Sequence, residues 1–180
     1  YLGGRLRMAG FASLRPDLLT ENERLADAGS AGIRFDVTRI ARRLIAATEW
    51  AARERVPGGR RIILLGASTG AAAALVAAAE LPALVSGVAA RGGRVDLAGG
   101  ALAKVVAPVL LVVGSADGDT LLWNRQAMSS LPRGARLAVV PGAGHTFEEP
   151  GALGAVGEHV VRWLARPRRR MDVDLRSGAF

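Results

Sequence analysis

Polar and apolar positions change period several times along this chain. Four apolar runs of strand length, 61–65, 83–90, 109–113 and 136–140, lack the polar alternation of a half-exposed strand, as expected where a parallel sheet is covered on both faces. Helical periods lie between and around them. The stretch 36–55 has Val37, Ile40, Leu44, Ile45, Thr48 and Ala51 on one stripe, Asp36 in place as N-cap, and Arg39, Arg42, Arg43 and Arg53 on a face expected to be simply solvated. Pro57-Gly58-Gly59 ends it. Further helices are expected over the alanine-rich run 71–79, over 97–106, over 120–131 with Asp119 or Thr120 as cap, and in a last amphipathic stretch with Leu153, Val156, Val160, Trp163 and Leu164. At the start, Leu2 and Leu6 stand at helical spacing before an Ala9-Gly10 stop, so the chain reads as entered partway through a helix and truncated. A short strand is expected at 11–16. Residues 17–32, with Asp17, Glu21, Glu23, Asp27 and at the far edge Asp36, read as a polar loop, either a surface connection or part of a substrate lid. The alternation of strands and helices gives an α/β class with a mainly parallel sheet and helices on both faces.

Composition narrows this picture. A chain of 180 residues suits one domain, here 1–165, followed by a basic tail at 166–180. Such a domain buries roughly 70% of its unfolded surface without staples. There is no cysteine, and His145 and His159 are the only histidines, too few for a typical zinc site; no metal and no cofactor are expected. His159, one helical turn before Trp163, reads as a partly buried helix residue. No apolar run approaches the ~18 residues of a membrane span, and the first residues, with Arg5 and Arg7, have no signal-like apolar core. A cytoplasmic protein without a membrane partner is expected. The net charge of +8 raises the question of nucleic acid, but of the 24 basic residues only Lys104 is lysine, and much of the excess sits in Arg162, Arg166, Arg168, Arg169 and Arg170. No basic and aromatic interleaving of the kind that stacks bases accompanies it, so the reading is a solvated basic tail and no nucleic-acid partner.

Candidate chemistry lies where the strands end. The run 61–65 passes into Gly66-Ala67-Ser68-Thr69-Gly70 and then directly into the alanine-rich helix, the sequence form of strand, sharp turn and helix with a serine on the corner. Both glycines are expected to allow close backbone approach. The run 109–113 ends at Gly114-Ser115-Ala116-Asp117, and the run 136–140 at Pro141-Gly142-Ala143-Gly144-His145. Parallel strands bring these ends to one edge. Serine becomes a nucleophile when a histidine takes its proton, and a carboxylate must hold that imidazole in the right tautomer. Ser68, Asp117 and His145 supply one of each, in the chain order of α/β-hydrolases. Asp119 is the alternative acid, and it is also well placed as a helix cap. Arg91-Gly92-Gly93-Arg94 follows another strand end, where Arg91 and Arg94 either touch an acidic substrate or are solvated loop residues.

From about residue 2 to 165 the sequence resembles the dienelactone hydrolase family of α/β-hydrolases. The words that carry the likeness are Gly66-Ala67-Ser68-Thr69-Gly70, Val112-Val113-Gly114-Ser115-Ala116-Asp117 and Pro141-Gly142-Ala143-Gly144-His145. The segments Arg91-Gly92-Gly93-Arg94 and Phe147-Glu148-Glu149-Pro150 resemble a branch sometimes joined to a phosphoribosyltransferase domain, and nothing in these residues is such a domain. The resemblance implies Ser68 as nucleophile, Asp117 as orienting acid, His145 as general base and the Thr69 backbone N–H as one oxyanion donor. Members that act on dienelactone use a cysteine, so an ester, thioester or lactone is the expected substrate here. The family's second oxyanion donor comes from a glycine-rich loop between an early strand and the first helix, and the N-terminal strands are expected to be missing from this chain. The expected function is therefore hydrolysis through an acyl-enzyme. The alternative is a truncated or non-catalytic hydrolase-like domain without a complete oxyanion hole.

Overall fold

All four apolar runs form strands. In the computed structural model, which describes residues 2–30, 32–54 and 61–166, they are β1 (Ile62–Ala67), β2 (Val85–Arg91), β3 (Val109–Gly114) and β4 (Arg136–Val140). They make one parallel sheet in the order β1-β2-β3-β4. The register pairs Ala67 with Arg91, Arg91 with Val112 and Gly114 with Val140, which brings the carboxyl ends together. Every residue of β3 is buried, so its uninterrupted apolar sequence is what a strand covered on both faces requires.

The connections stack on one face because successive crossovers of the same hand, each stepping to the next strand, return on the same side of the sheet. That face carries α4 (Thr69–Glu80), a 3-10 segment (Val95–Lys104) and α5 (Gly118–Ala127), packed through Leu75, Ala78, Val95, Leu102 and Ala127 onto Leu64, Val88 and Leu111. A long helix, α3 (Val37–Glu54), lies over α4, where Ile40 and Ala41 meet Ala73. The fully buried alanines of α4 explain the match: small side chains let α3 and the sheet approach from both sides. On the other face lie α1 (Leu2–Met8) and α6 (Ala152–Leu164), whose Leu6, Val156, Val160 and Trp163 cover Ala89, Leu110 and Val112.

Several expectations need correction. Residues 11–16 are not a strand. Helix α1 ends in a paired motif in which the Phe11 N–H donates to the Leu6 carbonyl and the Gly10 N–H to that of Arg7, with Gly10 at φ 84°. This closure turns Phe11 into the core beside Leu6, so its apolar character serves a helix end rather than a sheet. Residues 17–32 are not a loop either, since α2 (Glu21–Ser30) occupies most of them. Thr20 and Glu23 form a reciprocal cap: the Thr20 N–H donates to Glu23 Oε2 (2.8 Å) and the Glu23 N–H to Thr20 Oγ1 (3.3 Å). The cationic face of α3 is only partly solvated, because Arg39 and Arg43 both bind Glu23. The helix expected at 97–106 is a 3-10 segment broken at Gly99, where φ is 51°. Helix α5 begins at Gly118 rather than at residue 120. The helix stop at 57–59 and the basic tail lie outside the described residues, apart from Arg166. Among the described residues no helix is long and apolar enough to cross a membrane.

Candidate active site

Ser68 sits on the corner between β1 and α4 with φ 50° and ψ −127°. A non-glycine residue held there is strained by about 1–3 kcal/mol and persists only where its surroundings leave no alternative. Three backbone hydrogen bonds do this. The Ser68 N–H donates to the Arg91 carbonyl (3.2 Å), and its own carbonyl accepts from the N–H groups of Ala71 (3.0 Å) and Arg94 (3.1 Å). The two framing glycines turn out to differ. A Cβ on Gly66 would lie 2.4 Å from the Gly70 carbonyl oxygen and 2.6 Å from Ala71 Cα, whereas a Cβ on Gly70 would meet nothing within 4 Å. Only Gly66 is required by close approach.

The other two reactive groups come to the same edge. Asp117 ends the 114–117 turn at the N-cap position of α5, and its side chain makes no cap hydrogen bond. It is therefore free for His145: Nδ1 lies 2.8 Å from Asp117 Oδ2, and Nε2 lies 3.3 Å from Ser68 Oγ. With Nδ1–H donated to the carboxylate, Nε2 presents its lone pair to the serine hydroxyl. The Asp117 side chain is 12% exposed and that of His145 43%, so the carboxylate is sheltered while the imidazole borders solvent. Asp119 is exposed in the first turn of α5, away from this chain of hydrogen bonds. The Thr69 N–H is at the first position of α4, where a helix supplies no acceptor.

The two loops carrying acid and base are fastened to each other. The Gly142 N–H donates to Ser115 Oγ (2.7 Å) and the Ala116 N–H to the Ala143 carbonyl (2.9 Å), while within the histidine loop the Gly144 N–H donates to Glu149 Oε1 (2.9 Å). Gly114 lies so close that an added Cβ would sit 2.0 Å from the Ala143 carbonyl oxygen. Sequence reasoning missed Ser115 and Glu149 as supports. The only signal for either was membership of the motif segments quoted for the family resemblance.

Both candidate substrate-binding arginines have intramolecular partners. Arg91 Nη1 donates to the Thr146 carbonyl (2.9 Å) and its guanidinium carbon lies 5.5 Å from the Phe147 ring centroid. Burial pulls the Arg91 guanidinium below its ordinary pKa. Arg94 pairs with Asp96 (2.8 Å) and stacks over Trp123 at 4.2 Å, and the hydrogen bond it donates to Asp96 raises its pKa. His159 is half-buried on α6, as a helix residue. Among the described residues no group of three or more His, Asp or Glu side chains is placed to hold a metal ion.

Comparison with known proteins shows the family and the fold. Residues 2–163 match the model of the dienelactone hydrolase family. A solved dienelactone hydrolase from Anabaena variabilis is 44% identical and superposes with a TM-score of 0.86, covering 91% of this chain and 76% of that one. A monoacylglycerol lipase from Paleococcus ferrophilus, 18% identical, shares the fold at a TM-score of 0.59 over 71% of this chain and 74% of its own. Proteins from two strains of Mycobacterium tuberculosis, each named "Putative phosphoribosyl transferase", are 45% identical over 164 residues, 91% of this chain. The chain spans 36% of the length of those curated relatives.

Proposed function

Because the chain belongs to the dienelactone hydrolase family, we propose that it is a serine hydrolase cleaving a small carboxylic ester, thioester or lactone through an acyl-enzyme. The observation that carries this reading is the continuous hydrogen-bonded line from Asp117 through His145 to Ser68, on a strained turn that presents the hydroxyl. In acylation, Ser68 Oγ forms a bond to the substrate carbonyl carbon while its proton passes to His145 Nε2. Asp117 holds the imidazole and balances its positive charge. The Thr69 N–H donates to the oxyanion as the tetrahedral intermediate forms. Collapse breaks the bond to the alcohol or thiol, which leaves with the proton from His145. Water then attacks the acyl-enzyme by the same route in reverse, releasing the acid and restoring Ser68. A lactone follows the same steps, its alcohol staying tethered to the acyl group.

The transferase name of the Mycobacterium proteins belongs to chains of which this sequence matches 36%, and it does not enter the reading of these residues. The competing reading, a non-catalytic hydrolase-like domain, draws on the family resemblance, which implies two oxyanion donors and assigns one of them, the Thr69 N–H, to the described residues; loss of one donor typically costs about 10²–10³ in rate. A fluorophosphonate probe followed by intact-mass measurement separates the two. One adduct on the wild-type chain, absent from Ser68→Ala, is expected, together with a fall in ester turnover of ~10⁴ or more in that variant. Turnover retained by Ser68→Ala sinks the assignment of the nucleophile. An unlabelled wild type favours the non-catalytic domain.

A further inference from the structure

Arg91 is unusual among the cations near the site. It is half-buried, yet among the described residues no carboxylate partners it: its pKa is lowered by burial, whereas Arg94 has Asp96. A guanidinium withdrawn from water without a counter-ion costs free energy unless its contacts compensate. Those contacts all lead to one place. Nη1 donates to the carbonyl of Thr146, the residue after His145, and the guanidinium lies over the ring of Phe147, the next residue again. The neighbour of Arg91 completes the cradle: a Cβ on Gly92, itself at φ 50°, would lie 3.0 Å from the His145 carbonyl oxygen, 3.4 Å from the Phe147 ring and 3.6 Å from His145 Nδ1.

The segment held in this way needs holding. Phe147 has φ 59°, a backbone conformation that is a real outlier for a bulky side chain, and its ring is nevertheless buried among Ala89, Leu110, Val112 and Ala143. Strain of this kind persists where neighbours fix it and clusters beside functional groups. The Nε2 to Oγ separation is already 3.3 Å, so a small outward drift of residues 145–147 would break the proton path.

We propose that Arg91 is a positioning residue for His145, fastening residues 145–147 to the end of β2 so that Nε2 stays within reach of Ser68. The proposal rests on the serine hydrolase reading. It assigns Arg91 a role different from binding an acidic substrate, since its contacts are with the histidine loop.

The test uses the full chain, with three measurements on wild type, Arg91→Ala and Arg91→Lys: the rate of fluorophosphonate adduct formation on Ser68, kcat and KM for a neutral p-nitrophenyl ester, and the thermal midpoint. If the wild type is not labelled, the hydrolase reading falls and the proposal with it. With the wild type labelled, Arg91→Ala is expected to label ~10–100-fold more slowly and to lose kcat by a similar factor with KM little changed, as a misplaced base predicts. Arg91→Lys, which keeps the charge and one donor without the planar fork, is expected to fall between the two. Ethylguanidinium is expected to restore part of the rate to Arg91→Ala, because the side chain borders a cavity of about 110 Å³ lined by Leu65, Gly66, Ala90 and Val156. A folded Arg91→Ala labelled at the wild-type rate overturns the proposal. So does a variant whose KM rises with kcat unchanged, which would make Arg91 a substrate contact. Should Arg91→Ala not fold, Arg91→Gln takes its place with the same expected slowing and the same overturning result.

Discussion

At Ser68 the sequence pattern and the geometry agree on a strand, sharp turn and helix and differ on what each glycine does. The pentapeptide around the serine was legible because a strand, a sharp turn and a helix leave a local trace, and Asp117 and His145 were legible because each follows an apolar run. Which glycine the turn needs was not legible, since that depends on how closely β1 and α4 pass. A Cβ on Gly66 would strike backbone at 2.4 Å, and backbone cannot swing aside as a side-chain tip can. Gly70 is already inside α4 with open space around it. Gly66→Ala is therefore expected to destabilise by about 3 kcal/mol, in the range of forced overpacking. Gly70→Ala is expected to be stabilising by about 0.5–1 kcal/mol, from helix propensity and a less flexible unfolded chain. Urea titration of both variants checks this, and equal effects would show that the glycines play equivalent parts. The supports of the histidine loop were the least legible residues of the site. Arg91 and Phe147 are 56 positions apart in sequence, and no local pattern announces that contact.

Among the elements, α2 shows what periodicity alone passes over. Its polar composition reads as loop, and the helix is held by its N-terminal cap, by the bonds of Asp27 to Arg34 and by α3 rather than by an apolar stripe. Thr20-Glu21-Asn22-Glu23 carried the relevant signal, a capping box, and Glu23 does more than cap. It also accepts from Arg39 Nη1 (2.9 Å) and from Arg43 Nη2 (2.8 Å), while Arg43 Nη1 reaches the Leu18 carbonyl (2.8 Å), so one carboxylate joins the start of α2 to α3. Arg43 first, and then the Thr20 N–H, hold the Glu23 carboxyl far below its ordinary pKa of 4.5. The folded pKa is depressed, so the stabilisation is fully present above the ordinary value and is lost as the pH falls below it. Glu23→Gln is expected to lower the thermal midpoint at pH 7, and the gap from wild type to narrow progressively below about pH 4.5. A gap that stays constant down to pH 3 would mean that the charge contributes nothing. The misread strand at 11–16 has the complementary cause, since Phe11 is apolar for the sake of the α1 end, and a helix closure and a strand start look alike in so short a run.

For the molecule as a whole, the question is whether the two faces of the sheet stabilise each other. Successive residues of β3 point to opposite sides, so Leu110 belongs to the cluster with α1 and α6, and Leu111 to the cluster with α4 and α5. The sequence established that both faces were covered, because β3 has no polar position, but it did not assign helices to faces; that followed from the connections. The candidate site draws on both clusters. Ser68 leads into α4 on one side, and the Phe147 ring that anchors the His145 loop is buried on the other. If β3 couples them, damage to either face destabilises the whole. Leu110→Ala and Leu111→Ala remove the same atoms from adjacent, nearly inaccessible positions, 3% and 0% exposed, and each is expected to cost about 2–5 kcal/mol. Trp163 reports on the Leu110 face alone, in a background with Trp50 and Trp123 replaced by Phe, while far-UV circular dichroism reports on all the helices. In urea, Leu111→Ala is expected to move the Trp163 midpoint by as much as the dichroism midpoint, although its side chain points away from Trp163. A Trp163 transition left at its original midpoint, with only the dichroism shifted, would show that the faces unfold separately. The hydrogen bond between His145 and Ser68 would then depend on the face that opens first.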